Sequence, residues 1–137
     1  TKRYKNMAKI VDANLLLRYL TKDDPQKADK VEKIFRDKRR RPVIPDIVVA
    51  EVVWVLSSVY KLTKEEVIEK VESMLGLGGF IENSEVIGKT LSIFKKFNID
   101  WIDCYEAALV QTGKYSGIYS FDRDFDKIQG IRRIEPK

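Results

Sequence analysis

The sequence predicts an α/β domain: a parallel sheet covered on both faces by helices. Two observations predict it. Short apolar runs alternate with longer segments of helical period along the chain. That alternation of strands and helices implies a sheet covered on both faces. Two of the apolar runs end on an aspartate, at Asp12 and Asp122, and open α/β folds place their sites outside the carboxyl ends of the strands, where strand order reverses. With 137 residues, the chain is expected to hold one domain over residues 7–136, and a domain of that size buries roughly 68–70% of its unfolded surface.

Ala8–Val11 reads as a buried first strand, and Asn14–Tyr19 continues as a helical turn. Asp24-Pro25 is a helix start, with Asp as N-cap and Pro at the first helical position. Ala28, Val31, Ile34 and Phe35 then recur at helical spacing up to the basic run Lys38-Arg39-Arg40-Arg41, which ends the helix before Pro42. Val43-Ile44 is a very short second strand, and Asp46 is read as the cap of a helix from Ile47 to about Tyr60. Thr63 and Glu66 form a capping box that opens a helix with Val67, Val71 and Leu75 inward. Phe80–Glu82 is the third strand. Ser84 caps a helix carrying Ile87, Leu91 and Phe94, and a further helix spans about Ile102 to Lys114. Ile118–Phe121 and Ile131–Ile134 complete the strands, with a short helical turn at Arg123–Ile128 between them.

Composition narrows the chemistry. Hydrophobic residues make up 44% and charged residues 34%, a globular balance, with a net charge of +5. The chain has no histidine, which removes Ser-His triads, His general bases and His-ligated metals. Its single cysteine, Cys104, removes disulfides and Cys-ligated clusters and reads as a small packed residue. A metal here has to be held by oxygen, as Mg²⁺ and Mn²⁺ are. No apolar run is long enough for a transmembrane helix, and Thr1–Asn6 is a basic, polar tail without the apolar segment of a signal peptide. The lone thiol and the absence of such a signal point to the cytoplasm.

Four acids stand where a solvated charge explains least. Asp12 follows Ile10-Val11, although a strand-end turn or a cap accounts for it equally well. Glu51 lies within Ile47–Leu56, a helix apolar on nearly every face and therefore expected to be buried. A carboxylate there is costly unless paired or metal-bound. Asp103 stands at the start of a helix, where a cap or dipole role fits as well. Asp122 begins Asp122-Arg123-Asp124-Phe125-Asp126, any of whose aspartates suits a turn. Gathered together, such acids would repel and raise one another's pKa. A divalent cation resolves that conflict, activates water and stabilises charge on a phosphoryl oxygen.

Val11-Asp12-Ala13-Asn14, Ala50-Glu51 before Val-Trp-Val-Leu, Asp103 before Ala107-Ala108-Leu109, and Ser120-Phe121-Asp122-Arg123-Asp124-Phe125 occur in that order. The chain thereby resembles the PIN domain, and more narrowly the VapC-type toxins, from about Met7 to Pro136. The resemblance implies a three-layer α/β/α sandwich with a five-stranded parallel sheet of order 3-2-1-4-5, and a Mg²⁺- or Mn²⁺-dependent endoribonuclease. It implies Asp12, Glu51 and Asp103 as core catalytic and metal-holding acids and Asp122 as a more variable fourth, with Asp124 in reserve. Asn14 and Ser120 match the polar residues that support the acids. It also implies a homodimer and a cognate antitoxin lying over the acidic groove, with Trp54 marking an interface if exposed and ordinary core if not.

Arg39, Arg40 and Arg123 are candidate contacts for RNA phosphates, and Arg132 and Arg133 lie near the same region; Arg39 and Arg40 fit a solvated helix end as well. Phe35, Phe94 and Phe97 stand at core spacing, while Tyr4 and Tyr119 are open. The alternatives are a PIN-type RNA-processing nuclease outside a toxin–antitoxin pair and a PIN module that binds RNA or protein without cutting.

Overall fold

The computed structural model describes residues 7–137; the tail expected at Thr1–Asn6, with Tyr4, lies outside the described residues. The chain divides into two compact units, the first ending at Asn83 and the second running Ser84–Lys137.

The first unit contains β1 (Lys9–Ile10), α1 (Ala13–Thr21), α2 (Pro25–Arg36), β2 (Pro42–Ile44), α3 (Asp46–Ser58), α4 (Lys64–Leu75) and β3 (Phe80–Ile81). Its strands form a parallel sheet of order β1-β2-β3, with Ile10 opposite Val43 and Ile44 opposite Ile81. Parallel neighbours require crossovers, and each is a helix pair. The α1 helix packs on α2, α3 and α4, around a core that includes Leu16, Ile44, Val49, Val52, Leu56, Val71 and Met74. Local chemistry sets the helix starts. The Asp24 side chain accepts from the Lys27 N–H, with Pro25 in the first turn, and Thr63 and Glu66 complete a reciprocal capping box. At Gly79 an added Cβ would lie 2.5 Å from the Phe35 ring and 3.2 Å from the Pro42 carbonyl, so only glycine lets the chain enter β3 that close to α2.

The second unit contains α5 (Ser84–Lys96), α6 (Trp101–Gln111), β4 (Ile118–Tyr119) and β5 (Arg133–Ile134), with a 3₁₀ turn at Arg123–Lys127 before β5. The α5 and α6 helices pack against each other. Phe94 meets Trp101 edge to face at 5.3 Å, and Cys104 is buried beside them in the core with its thiol toward the Ile99 carbonyl. The β4 and β5 strands are parallel, with Ile118 opposite Arg133. Gly117 stands 2.6 Å, measured from an added Cβ, from the Arg132 carbonyl, so a side chain there would drive the two strands apart.

Several expectations need correction. The strands form one sheet of three and one of two, not a single five-stranded sheet of order 3-2-1-4-5. All but one of the strands are two residues long, so each has few ladder bonds to give. The Lys9 and Val11 amides donate to Arg41 and Val43, and the Ile118 and Ser120 amides donate to Arg132 and Ile134. β1 therefore spends these bonds on β2, and β4 spends them on β5. β1 is also less buried than expected: Ile10 is 75% exposed, and Val11 alone of Ile10-Val11 enters the core. The basic run does not extend α2. That helix ends at Arg36, and Lys38–Arg40 form a separate 3₁₀ turn capped by Asp37. Pro45, not Asp46, is the N-cap of α3. Asp46 is instead buried in the first turn, where its carboxylate accepts from the Asn83 backbone N–H at 3.2 Å and its Nδ2 at 2.8 Å.

Candidate acidic centre

The α6 helix and the turn after β4 carry the densest group of acids. Asp100 is the N-cap of α6, and Asp103 lies in its first turn. Asp103 is half-buried, and its carboxyl is pushed above the usual carboxylate range by burial, then by the charges of Asp122, Asp100 and Asp124. The positive end of a helix ordinarily favours an anion by about 0.3–1 kcal/mol. Here desolvation and like charge outweigh it. Glu106, one turn further along α6, is raised by burial and by Asp103. Every charged group that shifts these two acids is another carboxylate.

Hydrogen bonds position the turn that carries Asp122. The Asp122 N–H donates to the Ser120 hydroxyl at 2.9 Å, and Asp122 Oδ1 accepts from the Asp124 N–H at 2.9 Å, capping the 3₁₀ turn. Asp124 is ion-paired to Lys127 at 2.9 Å. Arg133 grips Asp126 with Nε at 3.0 Å and Nη2 at 3.2 Å, and its Nη1 donates to the Ser120 carbonyl at 3.1 Å. That fork holds Asp126 below the ordinary carboxylate range and pins the turn to β5. Asp126 is thus spent on structure, whereas Asp122 and Asp124 stand close enough to Asp103 to act on its charge.

The first unit presents Asp12 and Glu51 differently. Asp12 is the N-cap of α1 and makes no side-chain capping bond; its carboxylate is exposed. Asn14 follows on the first turn of α1, also exposed. Glu51 is exposed, not buried. The α3 helix is apolar nearly all round, but it buries Val48, Val49, Val52, Val53 and Leu56 and leaves Ile47, Glu51 and Trp54 outward. No desolvation argument applies to Glu51. Trp54 is 62% exposed and is therefore not core. Phe35 and Phe94 are buried and Phe97 half-buried, as expected, while Tyr119 is exposed.

The structure thus groups Asp103, Asp122 and Asp124 on one unit and places Asp12, Asn14 and Glu51 on the other. Among the described residues, no set of three or more His, Cys, Asp or Glu is arranged as a metal-holding group. Asp100 and Glu106 are additional members of the acidic centre. Glu106 was legible in principle, being three residues after Asp103 on the same helix. Of the basic candidates, Arg39 and Arg40 both reach back to Asp37, at 3.2 and 3.5 Å, and Arg123 is exposed beside Asp122.

A PIN-domain family model matches residues 9–131 and so runs across both units. The chain belongs to the PIN-domain family. It is also 26% identical over 132 residues to a VapC ribonuclease of Aquifex aeolicus (strain VF5), covering 93% of this chain and 96% of that one. The structure has the β3-β2, β2-β1 and β4-β5 pairings of the order that the PIN resemblance implies and lacks its β1-β4 pairing. No helix among the described residues is long and apolar enough to cross a membrane.

Proposed function

We propose that this PIN-family chain is a metal-dependent endoribonuclease that hydrolyses RNA phosphodiester bonds and serves as the toxin of a toxin–antitoxin pair. One observation carries the nuclease reading: Asp103 is half-buried beside the carboxylates of Asp122, Asp100 and Asp124, which with burial raise its pKa. Such a group is unfavourable on its own and becomes favourable around a divalent ion. The donors are oxygen throughout, which fits Mg²⁺ or Mn²⁺. Asp103 and Asp122 would hold the ion, with Asp124 in reserve; Asp12 and Glu51 are assigned to the same chemistry on the PIN resemblance. The ion would supply Lewis-acid stabilisation of the charge that builds on the phosphoryl oxygens. The chain's own part is to fix these acids. Ser120 holds the Asp122 amide, the Arg133 fork holds the turn, and Asp103 is presented from a helix anchored by Trp101. Asn14 stands beside Asp12 as its support. Arg39, Arg40 and Arg123 are proposed to meet the RNA backbone.

The toxin role is supported by the end-to-end likeness to a VapC ribonuclease. It entails a cognate antitoxin and, as in the resemblance, a homodimer in the cytoplasm. The exposed Trp54 supports docking of a partner chain on α3. The test is cleavage of single-stranded and structured RNA by the purified protein with Mg²⁺, with Mn²⁺ and with EDTA. Cleavage with either metal and none with EDTA is the expected result. RNA binding without cleavage, in a preparation free of antitoxin, would replace the nuclease with a binding module.

A further inference from the structure

A second feature of the Ser84–Lys137 unit is a groove beside α5. The outer stripe of α5, the end of α6 and the segment 127–129 line an open groove of about 840 Å³. It is lined by Lys89, Lys96 and Lys127 and by the neutral residues Ser92 and Gln111. Lys89 and Lys96 are two helical turns apart on α5 with Ser92 between them, so all three stand on one face. Neither lysine is in an ion pair among the described residues; Lys96 lies over the Phe97 ring at 5.6 Å. Glu85, one turn before Lys89, is the carboxylate on the same wall. The apolar lining is Ile93 and Ile128, which are buried, and Phe97, which is half-buried with the Lys96 ammonium over its ring.

Gly88 adds an independent sign. It lies inside α5, where glycine costs about 1 kcal/mol relative to alanine. A Cβ added there meets nothing within 4 Å, so no internal packing requires the glycine. It lines the groove and leaves helix backbone open to whatever enters. Lys127 links the groove to the acids, since its ammonium pairs with Asp124, whose charge acts on Asp103.

The geometry points to this groove as the seat of the RNA backbone flanking the scissile bond, with Lys89 and Lys96 on phosphates and Gly88 giving the strand room to lie against α5. The inference rests on the reading of RNA as the substrate. It adds residues on a helix that carries none of the assigned acids.

The test is binding of a short fluorescein-labelled single-stranded RNA by the full-length chain carrying Asp103→Asn to prevent cutting, followed by anisotropy over a salt series. Each lysine–phosphate contact contributes about 0.7 to the salt slope on a single strand. Combining Lys89→Ala with Lys96→Ala is expected to flatten the slope by about 1.4 and to weaken binding about tenfold at physiological salt. Lys89→Arg with Lys96→Arg should keep both. Gly88→Leu, which fills the groove without changing charge, should weaken binding and leave the slope nearly unchanged. In the cleaving protein the alanine pair should raise KM and spare kcat. Both lysines are on the helix surface, so unchanged thermal melting accompanies the expected result. Unchanged affinity and slope in the alanine pair, on an RNA that the parent binds, would overturn the groove while cleavage by the wild type left the nuclease reading standing. The stated loss of slope with no cleavage by the wild type would uphold the groove as an RNA seat but overturn its place beside a scissile bond, along with the nuclease. A loss confined to binding of a polyglutamate peptide, with RNA unaffected, would overturn it in favour of an acidic protein segment.

Discussion

The acids of the two units are held in opposite ways. Asp12 and Glu51 are exposed, and Asp12 makes no capping bond. Asp103 and Glu106 are half-buried and pressed by like charges. A free carboxylate costs the fold nothing and gains little from being there. A crowded one makes the fold less stable until something positive arrives. The same residue type is thus silent in one unit and loaded in the other, and substitutions should separate the two.

Activity gives the largest effect. Asp103→Asn and Glu51→Gln should each lower RNA cleavage by about 10²-fold or more, the order carried by groups that take part directly in catalysis. Stability should then divide them. Glu51→Gln changes an exposed side chain and should stay within about 0.5 kcal/mol of the parent. Asp103→Asn removes one of the repelling charges and should raise the melting temperature in metal-free buffer. Equal melting shifts for both, measured by circular dichroism, would erase the distinction between the units.

The pH dependence sharpens the same point. With its pKa raised in the folded protein, Asp103 binds its proton more tightly folded than unfolded. Stability therefore falls as pH rises from the unfolded value near 3.8 through the raised one, above which the whole penalty is present. Glu106 adds to it in the same direction. The advantage of Asp103→Asn should accordingly vanish in acid, below the unfolded value. Mg²⁺ or Mn²⁺ should stabilise the parent, by about 2.7 kcal/mol at a hundredfold excess over Kd, and stabilise Asp103→Asn less. A metal-induced shift equal in both proteins would remove Asp103 from the ion's ligands.

Ser120→Ala is a milder perturbation of the loaded side. It deletes the acceptor of the Asp122 amide, a bond worth about 0.5–1.5 kcal/mol. Because Asp122 is then less firmly placed, cleavage should fall about 10–100-fold, as for residues that orient ligands rather than act as them. Unchanged cleavage at matched metal concentration would leave Ser120 a turn residue only.

What could be read from the chain beforehand follows the range of the interaction. The capping box at Thr63 and the Asp24-Pro25 start depend on neighbours three residues away, and both formed as expected. Asp103 and Asp122 were visible because motif order marks them, but their crowding was not, since it depends on how α6 meets the turn after β4. Glu51 was misjudged for a related reason. An apolar helix looks buried on every side when its partners are unknown, and α3 buries only part of its circumference. The strands lie where the apolar runs suggest, but all except β2 are shorter than expected, because apolar runs show where a strand can lie and not how many of its amides find a neighbour. Lys89 and Lys96 carry no signal in the sequence, since lysines on an outer helical stripe read as ordinary solvated charge until a groove beside them is known.

The smallest effect lies far from every acid and serves as a control on the rest. In the capping box the Thr63 hydroxyl accepts from the Glu66 N–H at 3.2 Å, and the Glu66 carboxylate accepts from the Thr63 N–H at 3.0 Å. Thr63→Ala removes half of that exchange and should destabilise the protein by about 1 kcal/mol. The start of α4 carries none of the assigned acids, so cleavage per folded molecule should be unchanged. If this variant lost activity as Ser120→Ala is expected to, then modest destabilisation alone would account for both, and the Ser120 result would say nothing about how Asp122 is held. A Thr63→Ala protein that melts earlier and cuts normally is what allows the losses at Asp103, Glu51 and Ser120 to be read as chemistry.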